Sequence, residues 1–226
     1  MKTGKLFLSL ALLLGAFNGL RAETWKVGIL VYSGVYNTEF VAPYDVFQHA
    51  DQGEHSVRVF LVAPDDKPIL SAEGMRVRAD FNFQNHPSID ILIIPSFEKY
   101  ETDLGSRTGV IDWVRQTSEK ARFVLSNCWG AFFLAQAGLL KGRHAMTYPP
   151  DIDKLGRMFP GIKPVHGRRF VRDGKFVTGG GGLASYENAL YVVQELWGEA
   201  LARRIASGLV MEWDLNRVDH FLAPSR

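Results

Sequence analysis

The sequence lacks most of the features that stabilise or localise a protein by means other than a hydrophobic core. It has a single cysteine, Cys128, in 226 residues, so no internal disulfide can form. The net charge is only +2 and no basic run occurs, which argues against nucleic acid as a partner. Cysteine and histidine do not occur at zinc-site spacing, and there is no repeat. What remains is typical of a globular protein, with 46% hydrophobic and 22% charged residues.

The N-terminus has the pattern of a secretory signal peptide. Two lysines precede an apolar stretch from Leu6 to Phe17, and Leu20-Arg21-Ala22 offers a small residue before a cleavage point. The apolar stretch is shorter than the about 20 residues that a membrane span needs. We predict a signal peptide over 1–22, one domain over 23–226, and an exported protein, periplasmic or secreted, with no stable membrane span after cleavage. An uncleaved N-terminal anchor is the alternative.

Short hydrophobic runs alternate with segments of helical periodicity along the rest of the chain. Continuous or alternating apolar runs predict strands over 25–32, 57–62, 89–94 and 123–125. Apolar residues at helical spacing predict helices over 39–50, 109–117, 131–140 and 186–209. Asp173-Gly174 predicts a tight hairpin. This alternation predicts an α/β fold, in which one parallel sheet carries helices on both faces in a flavodoxin-like arrangement.

The only cysteine lies between a predicted strand and a predicted helix. A nucleophile on such a turn, or elbow, is exposed at the top of the sheet, and the helix N-terminus stabilises a thiolate. Gly130 allows close backbone approach, and free N–H groups there can hold an oxyanion. We therefore expect Cys128 to be reactive and ionised near neutral pH. The alternative is a buried, inert thiol.

Three segments together resemble the ThiJ/PfpI superfamily, which has the class I glutamine amidotransferase-like fold. They are EFVAPYDVF over 39–47, the cysteine elbow with LLKGRHAMT over 139–147, and the hairpin, glycine run and helix start over 172–190. The branch of greatest similarity comprises the isocyanide hydratases and the N-terminal domains of AraC-type regulators. The similarity covers nearly the whole predicted mature chain, in the right order.

The resemblance implies a cysteine-dependent enzyme of the hydratase or hydrolase type, which acts on a small electrophilic substrate. Isocyanide hydration is the nearest family chemistry. Glu39 would be the acidic partner of Cys128, whereas the residue pattern without the resemblance indicates only an acid in the first turn of a helix, favoured by the helix dipole. Its carboxyl group would be protonated, would donate a hydrogen bond to the thiolate and would have a raised pKa. No metal and no organic cofactor is implied, and a homodimer is usual in the superfamily.

The resemblance also assigns the rest of the predicted site. The backbone N–H groups of Trp129 and Ser96, at an elbow made compact by Gly130, would stabilise the charge that develops on the substrate. Thr147 and Tyr148 would line the substrate pocket. Gly179 to Gly182 is interpreted as a packing or turn segment, since it lacks the residues of a phosphate-binding loop.

Three positions depart from the family pattern. Tyr148 stands where many relatives have a histidine, Trp129 where a small hydroxyl residue is common, and Ser96-Phe97 where two glycines are common. We interpret His144 and His166 as ordinary surface or strand residues. The departures favour an alternative function, a non-catalytic exported protein that senses oxidants or binds a small ligand. A degenerate scaffold with an inert thiol is a third reading.

Overall fold

The hydrophobic runs form the strands of a central sheet. The computed structural model describes residues 24–51, 56–98 and 107–224, so the predicted signal peptide lies outside the described residues. The strands are β1 (Trp25–Leu30), β2 (Val57–Ala63), β3 (Ile69–Leu70), β4 (Arg76–Val77), β5 (Phe81–Asn82), β6 (Ile91–Ile94), β7 (Phe123–Asn127), β8 (His144–Ala145), β9 (Lys163–Pro164), β10 (Phe170–Asp173), β11 (Phe176–Gly179) and β12 (His220–Leu222).

Eight strands form the main sheet in the order β12-β10-β11-β7-β6-β1-β2-β5. Its neighbouring strands pair in parallel except β10 and β11, which form the predicted antiparallel hairpin. The strands β3 and β4 form a separate pair, as do β8 and β9. The predicted class, a single α/β domain with a mostly parallel flavodoxin-like sheet, is confirmed.

Helices cover both faces of this sheet. They are α1 (Asn37–Ala50), α2 (Thr108–Lys120), α3 (Gly130–Gln136), α4 (Ile152–Met158), α5 (Ala184–Trp197) and α6 (Glu199–Gly208). Successive side chains of a strand point to opposite faces. In β6, Ile91 and Ile93 therefore pack with α1, α5 and α6, whereas Leu92 and Ile94 pack with α2 and α3. This explains why the strands are continuously apolar rather than alternating.

The predicted helix over 186–209 is wrong in one respect, because it is two helices. Gly198 separates α5 from α6 and has φ +91°, a value that side chains with a Cβ rarely adopt. The first of the two helices also begins earlier than predicted, at Ala184. Within the described residues, no helix has the length and apolar character needed to cross a bilayer.

The order of the strands indicates where a ligand would bind. The chain passes from β1 to β2 on one side and later to β6 on the other side of β1. In open α/β sheets, ligands bind beyond the carboxyl ends of the strands at such a reversal of order. The segments that follow β1, β6 and β7 contain Glu39, Ser96 and Cys128. The topology therefore brings three predicted site residues to one edge of the sheet.

Candidate active site

Hydrogen bonds to the N–H and to the carbonyl oxygen of Cys128 hold the elbow in a strained backbone conformation. Cys128 has φ +50°, an uncommon value for a residue other than glycine, and its side chain is partly exposed. Its N–H donates to the carbonyl oxygen of Gly179 in β11 at 2.9 Å. Its own carbonyl oxygen accepts from the Thr147 hydroxyl at 2.8 Å. Both peptide groups of the strained residue are thus anchored, as expected where strain persists at a functional site.

Two glycines allow this elbow to pack closely. A Cβ at Gly130 would overlap the carbonyl oxygen of Ile94, so only glycine lets the start of α3 approach β6. Gly181 has φ +83°, and a Cβ there would overlap the Cβ of Cys128 and lie 2.6 Å from Oε1 of Glu39. The predicted packing role of the glycine run therefore holds at the site itself.

The Glu39 carboxyl group lies beside the thiol. Glu39 is in the first turn of α1 and is only 5% exposed. Its Oε2 accepts the backbone N–H of Ser96 at 2.7 Å, and the amide of Gly182 and the thiol of Cys128 also act as its hydrogen-bond partners. Burial raises the pKa of this carboxyl group, although those hydrogen bonds act in the opposite direction. The predicted acid and thiol are thus brought together, and the predicted direction of the Glu39 pKa is confirmed.

The ionisation of the thiol differs from the expectation. Burial, and then the negative charge of Glu39, raise the pKa of Cys128 to about 12. Hydrogen bonds from the Ser96 hydroxyl and from the backbone N–H of Trp129 lower the pKa of Cys128, but by less. The expectation of an ionised thiol near neutral pH is therefore wrong while Glu39 is charged, because removal from water and a like charge outweigh the dipole of a short helix. The negative charge of Glu39 therefore opposes ionisation of the thiol.

A cavity of about 550 Å³ opens above this pair. Its wall combines aromatic side chains with carboxyl groups and with the glycine run, and no lysine, arginine or histidine of the described residues belongs to it. The lining residues are Tyr36, Glu39, Ser96, Phe97, Glu98, Cys128, Trp129, Tyr148, Asp151, Gly180, Gly181 and Gly182. A small organic molecule can therefore reach both the sulfur and the carboxyl group from solvent.

Comparison with known proteins identifies the family of this chain. The family model described as "DJ-1/PfpI family" matches residues 25–195. An isonitrile hydratase from Pseudomonas putida is 32% identical over 187 residues, which are 80% of this chain and 75% of that enzyme. The chain belongs to the DJ-1/PfpI family. The transcriptional regulator CdhR of Pseudomonas aeruginosa is 27% identical over 164 residues, which are 72% of this chain but only 48% of the regulator.

Solved structures of this family share the fold. A ThiJ/PfpI family protein from Pseudomonas syringae superposes with a TM-score of 0.76, at 24% identity, over 85% of this chain and 77% of that one. DJ-1beta of Drosophila melanogaster superposes with a TM-score of 0.72, at 19% identity, over 84% of this chain and 100% of that one. These likenesses establish the architecture around the elbow and carry no residue roles.

Two predicted site residues, Ser96 and Thr147, have hydrogen-bond partners other than those expected. The Ser96 N–H, predicted to stabilise an oxyanion, is already donated to Glu39. The Ser96 hydroxyl is buried in the cavity wall beside the Glu39 carboxyl group and the Cys128 thiol, and its hydrogen bonding lowers the pKa of both groups. Thr147, predicted to line the pocket, is fully buried, and its hydroxyl holds the elbow carbonyl of Cys128 instead.

Trp129 and Tyr148, two of the positions that depart from the family pattern, line the cavity and leave it open. The Trp129 indole donates to Oδ2 of Asp151 at 2.6 Å and forms part of the wall, with the ammonium group of Lys154 5.0 Å from its ring centroid. Tyr148 lies in the same wall and is 46% exposed. Neither His144 nor His166 lines the cavity.

Sequence reasoning missed several residues of the site. Tyr36, Glu98 and Asp151 are polar or aromatic residues of loops and turns, and no local pattern marks them. Asn127 and Asn188 are fully buried amides near Cys128, and their hydrogen bonds reach the backbone of α1. The sequence did carry a signal for both residues, because Asn127 ends an apolar strand and Asn188 lies in the apolar stripe of a helix. Buried polar groups require partners, so each amide indicated a hydrogen bond inside the protein.

Proposed function

We propose that this DJ-1/PfpI protein is a cysteine-dependent hydratase that converts isonitriles to N-formamides. The observation that carries the proposal is the contact between the Cys128 thiol and the buried Glu39 carboxyl group in the wall of an open cavity. The 32% identity to an isonitrile hydratase supports it further. The thiol supplies a nucleophile, and the carboxyl group supplies a proton carrier whose pKa is raised by burial, as general acid–base catalysis requires.

The first step would form a carbon–sulfur bond. Because the thiol holds its proton at neutral pH, Glu39 would accept that proton as the sulfur attacks the terminal carbon of the isonitrile. Glu39 would then deliver the proton to the same carbon, which gives a thioimidate with a carbon–nitrogen double bond. The backbone N–H of Trp129 and the Ser96 hydroxyl are the groups placed to stabilise charge during this step.

The second step would consume one water molecule. Glu39 would take a proton from water as the oxygen adds to the thioimidate carbon, and the nitrogen would be protonated in turn. Cleavage of the carbon–sulfur bond would release the N-formamide, and the sulfur would regain its proton. The net reaction adds one water to one isonitrile and needs no oxidant or reductant.

The cavity wall favours an uncharged substrate. Tyr36, Phe97, Trp129 and Tyr148 provide apolar surface, and the carboxyl groups in the same wall would repel an anion. We therefore expect small neutral alkyl or aryl isonitriles to be better substrates than isonitriles that carry a carboxylate.

The proposal is tested by incubation of the purified protein with tert-butyl isocyanide and detection of the formamide by NMR. We expect Cys128→Ser to lower turnover by about a thousandfold and Glu39→Gln by about a hundredfold. Glu187→Gln is the matched control, because Glu187 also lies in the first turn of a helix but pairs with Arg169 at 2.6 Å outside the cavity. Turnover that survives both site substitutions would contradict the proposal.

A second candidate is a protein that binds a small ligand without turnover. The raised pKa of Cys128 favours it, because a protonated thiol is a weak nucleophile. The same property argues against a peroxide sensor, which needs a thiolate. Calorimetric binding of an isonitrile with no formamide formed would support this candidate.

We also propose that the protein is exported and forms a homodimer. The N-terminal charge and hydropathy pattern supports export, and the family resemblance alone supports the dimer. N-terminal sequencing of the protein from an expressing bacterial cell tests cleavage near Ala22, and sedimentation of the purified protein tests the dimer.

A further inference from the structure

The helix that carries Glu39 has a gap in its backbone hydrogen bonds. In an α-helix, the N–H of residue 43 would donate to the carbonyl oxygen of residue 39. Residue 43 is Pro43, which lies inside α1, is buried and has no N–H. The carbonyl oxygen of Glu39 is therefore left without its helical partner, in the same residue whose side chain contacts the thiol.

A side chain from the cysteine strand occupies this gap. Nδ2 of Asn127 donates to the carbonyl oxygen of Glu39 at 2.8 Å, and Asn127 is the residue directly before Cys128. Nδ2 of Asn188, in α5, donates to Oδ1 of Asn127 at 2.7 Å. Asn127 and Asn188 are both fully buried.

The chemistry of these groups fixes the orientation of both amides. A carbonyl oxygen only accepts, so Asn127 must turn its NH₂ group toward Glu39 and its oxygen toward Asn188. Asn188 must then present its own NH₂ group. The result is a directed chain of hydrogen bonds from α5 through β7 to α1, in an environment where each unmet bond is costly.

We propose that Pro43, Asn127 and Asn188 are positioning residues that set the place of the Glu39 carboxyl group relative to the Cys128 sulfur. Proton transfer requires heavy atoms within about 2.6–3.2 Å, so a small shift of the first turn of α1 changes both the proton transfer and the electrostatic effect of Glu39 on the thiol. The effect on turnover rests on the proposed hydratase function, whereas the effect on the thiol does not.

The test measures the rate of Cys128 alkylation by iodoacetamide as a function of pH, which needs no substrate. Asn127→Leu removes the bond to Glu39 without adding charge and preserves approximate volume. If the carboxyl group moves away from the sulfur, the pKa of Cys128 falls, and alkylation at pH 8 becomes about tenfold faster. Formamide production falls at the same time by up to about a hundredfold, with KM changed by less than about twofold.

A double-mutant cycle separates positioning from simple loosening of the site. In a Glu39→Gln background the carboxylate is already gone, so Asn127→Leu should leave the alkylation profile unchanged. An equal change in both backgrounds, or no change in either, would overturn the proposal. Asn82→Leu is the control amide, because it lies in β5 at the sheet edge and bonds Asp66 at 2.8 Å.

Pro43→Ala keeps the proposal testable if Asn127→Leu does not fold. Alanine restores an N–H that competes with Asn127 for the carbonyl of Glu39, and alanine is a strong helix former. We expect the same direction of change in alkylation, about threefold at pH 8, again absent in the Glu39→Gln background. An unchanged profile would overturn the role of Pro43. If the native protein forms no formamide, the hydratase proposal fails, but the alkylation cycle still tests the positioning residues.

Discussion

The floor and the mouth of the cavity are built in different ways. The floor is formed by Glu39, Cys128 and Gly181, and Gly130 supports it from behind against β6. It is held by backbone hydrogen bonds and by contacts in which a single added carbon would overlap its neighbours. The mouth is defined as Tyr36, Glu98, Trp129, Tyr148 and Asp151, whose side chains lie in loops, in turns or at the start of α3 and meet through side-chain contacts such as the indole–carboxylate bond.

This difference indicates where the chemistry and where the selectivity of the site reside. Close-packed backbone tolerates little change, so the floor fixes the distance between acid and thiol. Partly exposed side chains can change with small effects on stability, so the mouth can vary with the substrate. The predictions below test this contrast, from the largest expected effect to the smallest.

The floor should not tolerate one extra methyl group. Gly130→Ala places a Cβ against the carbonyl oxygen of Ile94, and backbone cannot move aside as a flexible side chain can. We expect a loss of about 3 kcal/mol or more in the free energy of unfolding, measured by urea denaturation. Gly109→Ala in α2 is the matched control, since nothing lies within 4 Å of its Cβ position, and it should gain up to about 1 kcal/mol. Equal stability of the two variants would contradict the description of the floor.

The alkylation of Cys128 should reveal the charge in the floor. With a thiol pKa of about 12, the rate should keep rising with pH above 9, because the thiolate fraction is still growing there. Glu39→Gln removes the like charge, lowers the pKa of Cys128 and should raise the rate at pH 8 by about tenfold or more. A rate that levels off below pH 8 in the native protein would restore the original expectation of an ionised thiol.

Glu39 should also give the free energy of unfolding a defined pH dependence. Its raised pKa means that the folded state binds the proton more tightly than the unfolded state. The resulting stabilisation is full below the ordinary pKa of 4.5 and is lost as pH rises through the raised value. Relative to Glu39→Gln, the native protein should therefore lose stability over that interval. A constant difference between the two from pH 4 to pH 8 would contradict the raised pKa.

The mouth should respond weakly in stability and measurably in selectivity. Asp151→Asn removes a carboxylate but keeps an oxygen that can accept the hydrogen bond from the Trp129 indole. We therefore expect the free energy of unfolding to change by less than about 0.5 kcal/mol. The KM for a carboxylate-bearing isonitrile should fall by about three- to fivefold, while that for tert-butyl isocyanide stays within about twofold. Parallel changes in both KM values would show that the charge of the mouth does not select the substrate.

Hydrophobic runs and turn residues in the sequence were sufficient to predict the main strands and the cysteine elbow. The apolar runs located β1, β2, β6 and β7, and the residues around Cys128 located the strand-to-helix elbow. The glycine at 198 was not recognised as a helix break, because a glycine inside a periodic apolar stripe carries no information about its φ value. Pro43 was part of a motif, but its purpose depends on an amide 84 positions later in the chain.

The sequence alone determined the α/β architecture and the elbow, because hydrophobic spacing and turn chemistry act over a few neighbouring residues. The acid at the start of α1 was assigned only through the family resemblance. Only the tertiary structure decided that burial and Glu39 raise the pKa of the thiol, that Ser96 donates its N–H to Glu39, and that Thr147 supports the elbow instead of the pocket. Those properties depend on burial and on distances between segments remote in the chain, and electrostatic and hydrogen-bond energies change steeply with both.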